Sequence, residues 1–172
     1  VGNQISPRRT PELADAFRKT LEYRKPWEAN DCGSWTGSFS ANFWTRLGDG
    51  EMLQKVIDTH FEKALFPNLT SNFGEFWEID GNLGITASIG EMLLQSHDGE
   101  IEVLPALPSF YPDGEVKGLK ARGGFTIDIK WKAGKLIHVR VHSVFGKKAV
   151  LRYGEQTLEI DLDKGAYSDF EF

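Results

Sequence analysis

The sequence predicts an α+β chain in which helices come first and strands last. Apolar residues recur at helical spacing through the first half, they alternate at a period of two in the last third, and the change falls between residues 98 and 116. Two small domains are therefore expected, divided within that interval, in a length that could also hold one ordinary domain.

The helical half can be read in order. Thr10-Pro11-Glu12 supplies an N-cap, a proline at the first helical position and an acid in the first turn. Leu13, Ala16, Phe17, Thr20 and Leu21 then predict a helix to about Tyr23, followed by a loop from Pro26 to Gly33. Over 34–47, Trp35, Phe39, Phe43, Trp44 and Leu47 stand among Gly37, Ser38, Ser40 and Ala41, the pattern of a helix buried on several sides. Gly48 ends it and Asp49 can cap the next, whose expected apolar face is Leu53, Val56, Ile57, His60, Phe61 and Ala64. A long loop is expected over Phe66–Gly84, and a last helix, about Ile85–Ser96, that buries Ile85, Ile89, Met92 and Leu93.

In the strand half, Phe125, Ile127, Ile129 and Trp131 alternate with polar residues. After the turn Lys132-Ala133-Gly134-Lys135, so do Ile137, Val139 and Val141. Ala149, Leu151 and Tyr153, then Leu158, Ile160 and Leu162, continue the pattern across Gly154-Glu155, with weaker strands near Glu102 and Phe170. The expected result is an antiparallel β-sandwich.

Composition narrows the function. Hydrophobic residues are 40% and charged residues 26%, a globular balance. A net charge of −5 offers no broad basic face for nucleic acid or an anionic membrane, and no run approaches the roughly 20 apolar residues of a spanning helix. The single cysteine, Cys32, excludes an internal disulfide and a multi-thiolate metal site. Nucleophile-elbow, zinc-helix, phosphate-loop and dinucleotide signatures are lacking, so no cofactor or metal is expected. His138 and His142 share a strand face without an evident third ligand, and His60 reads as a hydrogen-bonded core residue. The sequon Asn68-Leu69-Thr70 reads as a loop.

The segment that concentrates site chemistry is 73–84. Phe76 and Trp77 offer flat faces for a pyranose ring, and Glu75, Glu78, Asp80 and Asn82 offer hydrogen bonds to hydroxyls. Carboxylates also carry the proton transfers of glycoside hydrolysis. Taken alone, Asp80 reads equally as a turn residue or helix cap, and Trp77 and Trp35 as core packing.

Ile79-Asp80-Gly81-Asn82-Leu83-Gly84, Gly90-Glu91-Met92-Leu93-Leu94-Gln95-Ser96-His97, Leu104-Pro105-Ala106-Leu107-Pro108 and Gly118-Leu119-Lys120-Ala121-Arg122-Gly123-Gly124-Phe125 occur in order. In that order and spacing the chain resembles glycoside hydrolase family 95, the inverting α-L-fucosidases and their relatives, over essentially its whole length. The resemblance implies that residues 1–98 are the last helices of a catalytic (α/α) toroid and 99–172 a C-terminal β-domain. It further implies hydrolysis of terminal α-linked L-fucose, or L-galactose, with inversion, and a secreted or periplasmic setting. Asp80 matches the aspartate that orients the water-activating asparagine and is the expected catalytic residue; Trp77, Glu78 and Asn82 are the expected substrate contacts. The family's general acid and asparagines lie in earlier segments, so the chain alone is expected to be inactive. Its expected partners are a fucosylated glycan and the remaining N-terminal part of the same protein. Where the family carries Pro-Phe-Gln before the motif and Phe after it, this chain has Phe76-Trp77-Glu78 and Leu83, which adds a charge beside Asp80. A non-catalytic carbohydrate-binding or scaffold module, or a β-sandwich interaction module, is the alternative reading.

Overall fold

The structure, a computed structural model, describes residues 3–25 and 33–172. Cys32 and all but the last residue of the loop expected over Pro26–Gly33 lie outside the described residues. The chain forms two compact units, Val1–Met92 and Leu93–Phe172.

The first unit holds α1 (Pro11–Arg24), α2 (Ser34–Arg46), α3 (Gly50–Lys63), the short strands β1 (Asn72–Phe73) and β2 (Phe76–Trp77), and α4 (Ile79–Leu93), which ends at the unit boundary. Pro11 opens α1 as expected, but the Thr10 hydroxyl turns backward, accepting from the Ser6 amide at 2.9 Å rather than capping the helix. The buried positions of α1 are Ala14 and Leu21; of the expected face Leu21 is buried and Phe17 half-buried, whereas Leu13 is exposed. Arg18 shares the inner side: its guanidinium lies 5.4 Å from the Trp44 ring, pairs with Asp49 and donates to the Leu47 carbonyl.

Asp49 caps α3 as expected, accepting from the Met52 amide at 3.0 Å. Leu53, Val56, Ile57 and Ala64 are buried, as is Trp44 on α2, whereas Phe61 is 53% exposed. His60 is buried, but neither ring nitrogen has a hydrogen-bond partner among the described residues, and burial pushes its pKa down.

The long loop expected over Phe66–Gly84 is replaced by a two-stranded ribbon and by the first turns of α4. Glycine made the Ile79–Gly84 segment read as loop, yet the glycines serve packing. A Cβ on Gly81 would strike Ser34 and approach the Ser71 hydroxyl to 2.6 Å, and one on Gly84 would lie 2.6 Å from Ser38 Cβ. Ser34 faces Gly81, Ser38 faces Gly84 and Arg46 meets Glu91, so the contacts advance together along both helices and α2 runs parallel to α4. Parallel neighbours separated by a returning helix are what successive helical hairpins of a toroid supply.

The second unit is built from two four-stranded sheets. One orders β10 (Tyr167–Phe170), β7 (Lys135–Ser143), β6 (Phe125–Lys132) and β5 (Gly114–Ala121); the other orders β3 (Leu94–Gln95), β4 (Ile101–Val103), β8 (Lys147–Tyr153) and β9 (Gln156–Leu162). All pairs are antiparallel except β4 with β8. Phe125, Ile127, Ile129, Val139 and Val141 from the first sheet and Val103, Leu151 and Ile160 from the second form the core.

Two departures have local causes. Ile137 is 37% exposed because Trp131 pairs with Leu136 while Lys130 pairs with His138, a bulge that turns Leu136 inward. Strand β5 lacks clean alternation because its register also shifts, between Val116 and Leu119 around Gly118. The β6–β7 turn places Ala133 and Gly134 at φ 51° and 72°, the demand of a type I′ hairpin, and Asp113 secures it by accepting from the Ala133 amide at 2.6 Å.

Candidate functional site

The first unit carries a cavity of about 430 Å³ between α2 and α4, within the ~300–1,000 Å³ usual for small-molecule sites. Trp35, Ser38, Phe39, Asn42, Phe43 and Arg46 line it from α2, and Asp80, Gly84, Ala87 and Glu91 from α4. The spacing explains both stripes: residues three, four and eleven apart return to one helix face.

The α2 wall is aromatic. Ring centroids stand 5.0 Å apart from Trp35 to Phe39, 5.9 Å from Phe39 to Phe43 and 5.1 Å from Phe43 to Phe17 on α1, in edge-on or tilted arrangements. Trp35 is 53% and Phe39 40% exposed, so both present open ring surface.

The polar groups are divided between structural and available ones. Asn42 Nδ2 donates to the carbonyls of Ser38 and Gly84, each at 2.8 Å. Two acceptors on one side fix the carboxamide's orientation, so Asn42 keeps Oδ1 as an acceptor. Arg46 forks onto both oxygens of Glu91, Nη2 donating at 2.5 Å, so neither group enters the cavity as an uncompensated charge. Asp80, in the first turn of α4, is solvent-exposed, and its carboxylate has no hydrogen-bond or ion-pair partner among the described residues. Eleven residues separate Asp80 from Glu91, about 16 Å along the helix axis.

The other expected site residues stand apart from the cavity lining. Glu78 accepts from the Ser34 hydroxyl at 2.5 Å and the Trp35 amide at 3.0 Å, which supplies the start of α2 with the cap that Gly33 cannot provide. Asn82 accepts from the Ser71 amide at 2.7 Å and donates to the Leu69 carbonyl at 2.9 Å, pinning the preceding loop to α4. Trp77 is exposed on β2. In the second unit, His138 binds Asp169 at 2.8 Å while His142 stacks on Tyr167 with centroids 4.2 Å apart, so the two rings serve different partners.

Asn42, Arg46 and Glu91 were absent from the sequence-derived site. The signal for them was present in the i, i+4, i+7, i+11 ladder from Asp80 to Glu91, matched by Trp35, Phe39, Asn42 and Arg46, but it acquires meaning only once α2 and α4 are known to be adjacent.

The model of the glycosyl hydrolase family 95 catalytic domain matches residues 1–93, and that of the glycoside hydrolase family 95 C-terminal domain matches 95–170. The chain belongs to glycoside hydrolase family 95. It is 34% identical over 148 residues to "Alpha-L-fucosidase 2" of Arabidopsis thaliana, a match covering 79% of this chain and 17% of that protein. It is 29% identical over 120 residues to "Probable alpha-fucosidase A" of Aspergillus oryzae, covering 60% of this chain and 16% of that protein. The chain thus spans about a sixth of the length of these family 95 relatives. The division of the matches falls near the break between the two units, at Met92 and Leu93. Among the described residues of this family 95 chain, no helix is long and apolar enough to cross a membrane.

Proposed function

We propose that the α2–α4 cavity is one wall of the sugar site of a glycosidase that hydrolyses terminal α-linked L-fucose, or L-galactose, with inversion, and that this chain supplies only part of the catalytic set. The helices up to Met92 then belong to the helical toroid, and the strands from Leu94 onward to the C-terminal β-domain. The observation that carries the reading is the place of Asp80: a solvent-exposed carboxylate, without a partner among the described residues, that lines a cavity of suitable size together with an aromatic wall.

An inverting hydrolysis needs one group to protonate the leaving oxygen and another to direct a water at the opposite face of C1, about 6.5–9.5 Å away. Asp80 takes the second part. Its oxygens accept a hydrogen bond from the amide of a water-holding side chain, which strengthens that side chain's own oxygen as the acceptor for the attacking water. Glu91 does not take the first part, since Arg46 occupies both its oxygens and about 16 Å of helix separates it from Asp80. That distance supports an acid contributed from outside this chain. Trp77, exposed on β2 outside the cavity lining, offers a further stacking face, while Glu78 and Asn82 act through the placement of α2 and the 68–71 loop.

An amide-resolved NMR titration with L-fucose tests the reading. Shifts are expected at Trp35, Asn42 and Asp80 and are lost in Asp80→Ala; shifts confined to the β-unit, or none, overturn it. The chain is expected to release no fucose from a fucosyl-α-1,2-galactose substrate, and measurable release abolished by Asp80→Asn would refute the view that the catalytic set is incomplete.

A further inference from the structure

We propose that Asn68 is an acceptor for N-linked glycosylation, so that this chain carries a glycan of its own when it passes through a eukaryotic secretory pathway. The inference is independent of the sugar-site reading and concerns a different part of the first unit.

Asn68-Leu69-Thr70 is the one Asn-x-Ser/Thr triplet of the sequence, with leucine rather than proline in the middle. It lies between α3, which ends at Lys63, and β1, which begins at Asn72. Asn68 and Leu69 are exposed, Leu69 by 65%, and Thr70 is half-buried. The triplet belongs to a closed turn. The Leu69 amide donates to the Phe66 carbonyl at 2.8 Å, the Phe66 amide donates to the Thr70 carbonyl at 2.9 Å, and Leu69 takes a left-handed φ of 66°. Asn82 holds the base of this turn on α4 through the Leu69 carbonyl and the Ser71 amide, at 2.9 and 2.7 Å.

The carboxamide of Asn68 is engaged through one atom. Its Oδ1 accepts from the Thr70 amide at 3.1 Å and from the Thr70 hydroxyl at 2.7 Å. A backbone N–H can only donate, so it fixes which atom of the carboxamide is the oxygen. Nδ2 makes no hydrogen bond among the described residues, and the side chain that carries it is exposed.

That division suits the chemistry of the modification. The Nδ2 nitrogen attacks the anomeric carbon of the first sugar of an oligosaccharide carried on a lipid pyrophosphate. A bond forms between Nδ2 and C1, the bond from C1 to the pyrophosphate oxygen breaks, and the lipid pyrophosphate leaves with the bonding pair. Nδ2 gives up one of its two protons. The product amide keeps its carbonyl oxygen and one N–H, so both hydrogen bonds from Thr70 to Oδ1 survive. The fold uses the oxygen and the glycan uses the nitrogen. The modified chain therefore closes the same turn, with a bulky hydrophilic group at the surface beside the exposed Leu69.

The 172-residue chain, expressed behind a secretory leader in a eukaryotic host and recovered from the secretory compartment and the medium, tests the proposal. A slower-migrating form is expected, which an amidase specific for N-glycans converts to the bare chain, leaving an aspartyl residue at position 68 in the peptide mass spectrum. Asn68→Asp keeps an oxygen acceptor for Thr70 while removing the nucleophilic nitrogen; it should lose the glycan and retain the helical circular dichroism signal. Thr70→Ala should lose the glycan and Thr70→Ser should keep it, and this pair decides the matter if Asn68→Asp does not fold. A glycan that persists in Asn68→Asp or Thr70→Ala lies elsewhere and overturns the assignment. So does a native chain whose leader has been removed, which proves its entry into the compartment, yet which carries no sugar.

Discussion

Gly84 and Gly90 lie on the same helix and should respond in opposite ways to the same substitution. Replacing an unstrained helical glycine by alanine stabilises by about 0.5–1 kcal/mol through backbone entropy. A Cβ at Gly90 meets nothing within 4 Å, so Gly90→Ala is expected to show that gain. A Cβ at Gly84 would lie 2.6 Å from both Cβ and Oγ of Ser38, a contact that requires the helices to separate. Overpacking of this kind costs about 1–3 kcal/mol, which cancels or reverses the entropic gain. The two variants should therefore differ by about 1–3 kcal/mol, roughly 0.5–2 M in urea midpoint for a slope of about 1.5–2 kcal/mol/M. Urea unfolding followed by circular dichroism measures the difference. Ser38→Gly should be partly compensating in the Gly84→Ala background, because it removes the opposing Cβ, but not in the Gly90→Ala background. Equal stabilisation by both alanines would refute the close approach of α2 and α4, and with it the geometry that brings Asn42 and Asp80 into one cavity.

Two further outcomes follow from the same unit. Glu78→Ala removes the acceptor for the Ser34 hydroxyl and the Trp35 amide, so a loss of about 1 kcal/mol is expected, with faster amide exchange confined to the first turn of α2. His60 has its pKa lowered by burial from an ordinary value of 6.5, so the unfolded chain binds the proton more readily than the folded one. The stability held by the neutral ring is complete above pH 6.5 and is lost as pH falls below it toward the depressed folded value; His60→Leu should flatten that part of a stability-versus-pH profile, and an unchanged slope would count against His60 as its source.

The family and the order of helices before sandwich were legible in the sequence because they depend on contiguous motifs and on periodicity. Hydrophobic alternation located β6 to β9 to within two residues but not β1, β2, β3 or β5, and the Asp49 cap was readable from its position alone. What the sequence could not disclose were relations between segments far apart in the chain. Glu78 looks like a sugar-binding carboxylate in a string of letters; only its contact with Ser34 and Trp35, more than forty residues earlier, makes it a helix cap. Gly81 and Gly84 look like loop glycines until Ser34 and Ser38 are brought against them, and Arg18 looks solvated until Trp44 and Asp49 are beneath it. Periodicity reports which side of an element is apolar, a property of neighbours along the chain. Which carboxylate stays free is a property of neighbours in space: Asp49, Glu78 and Glu91 are each taken by a donor from another element, and Asp80 is the one in the cavity that packing leaves without a partner among the described residues.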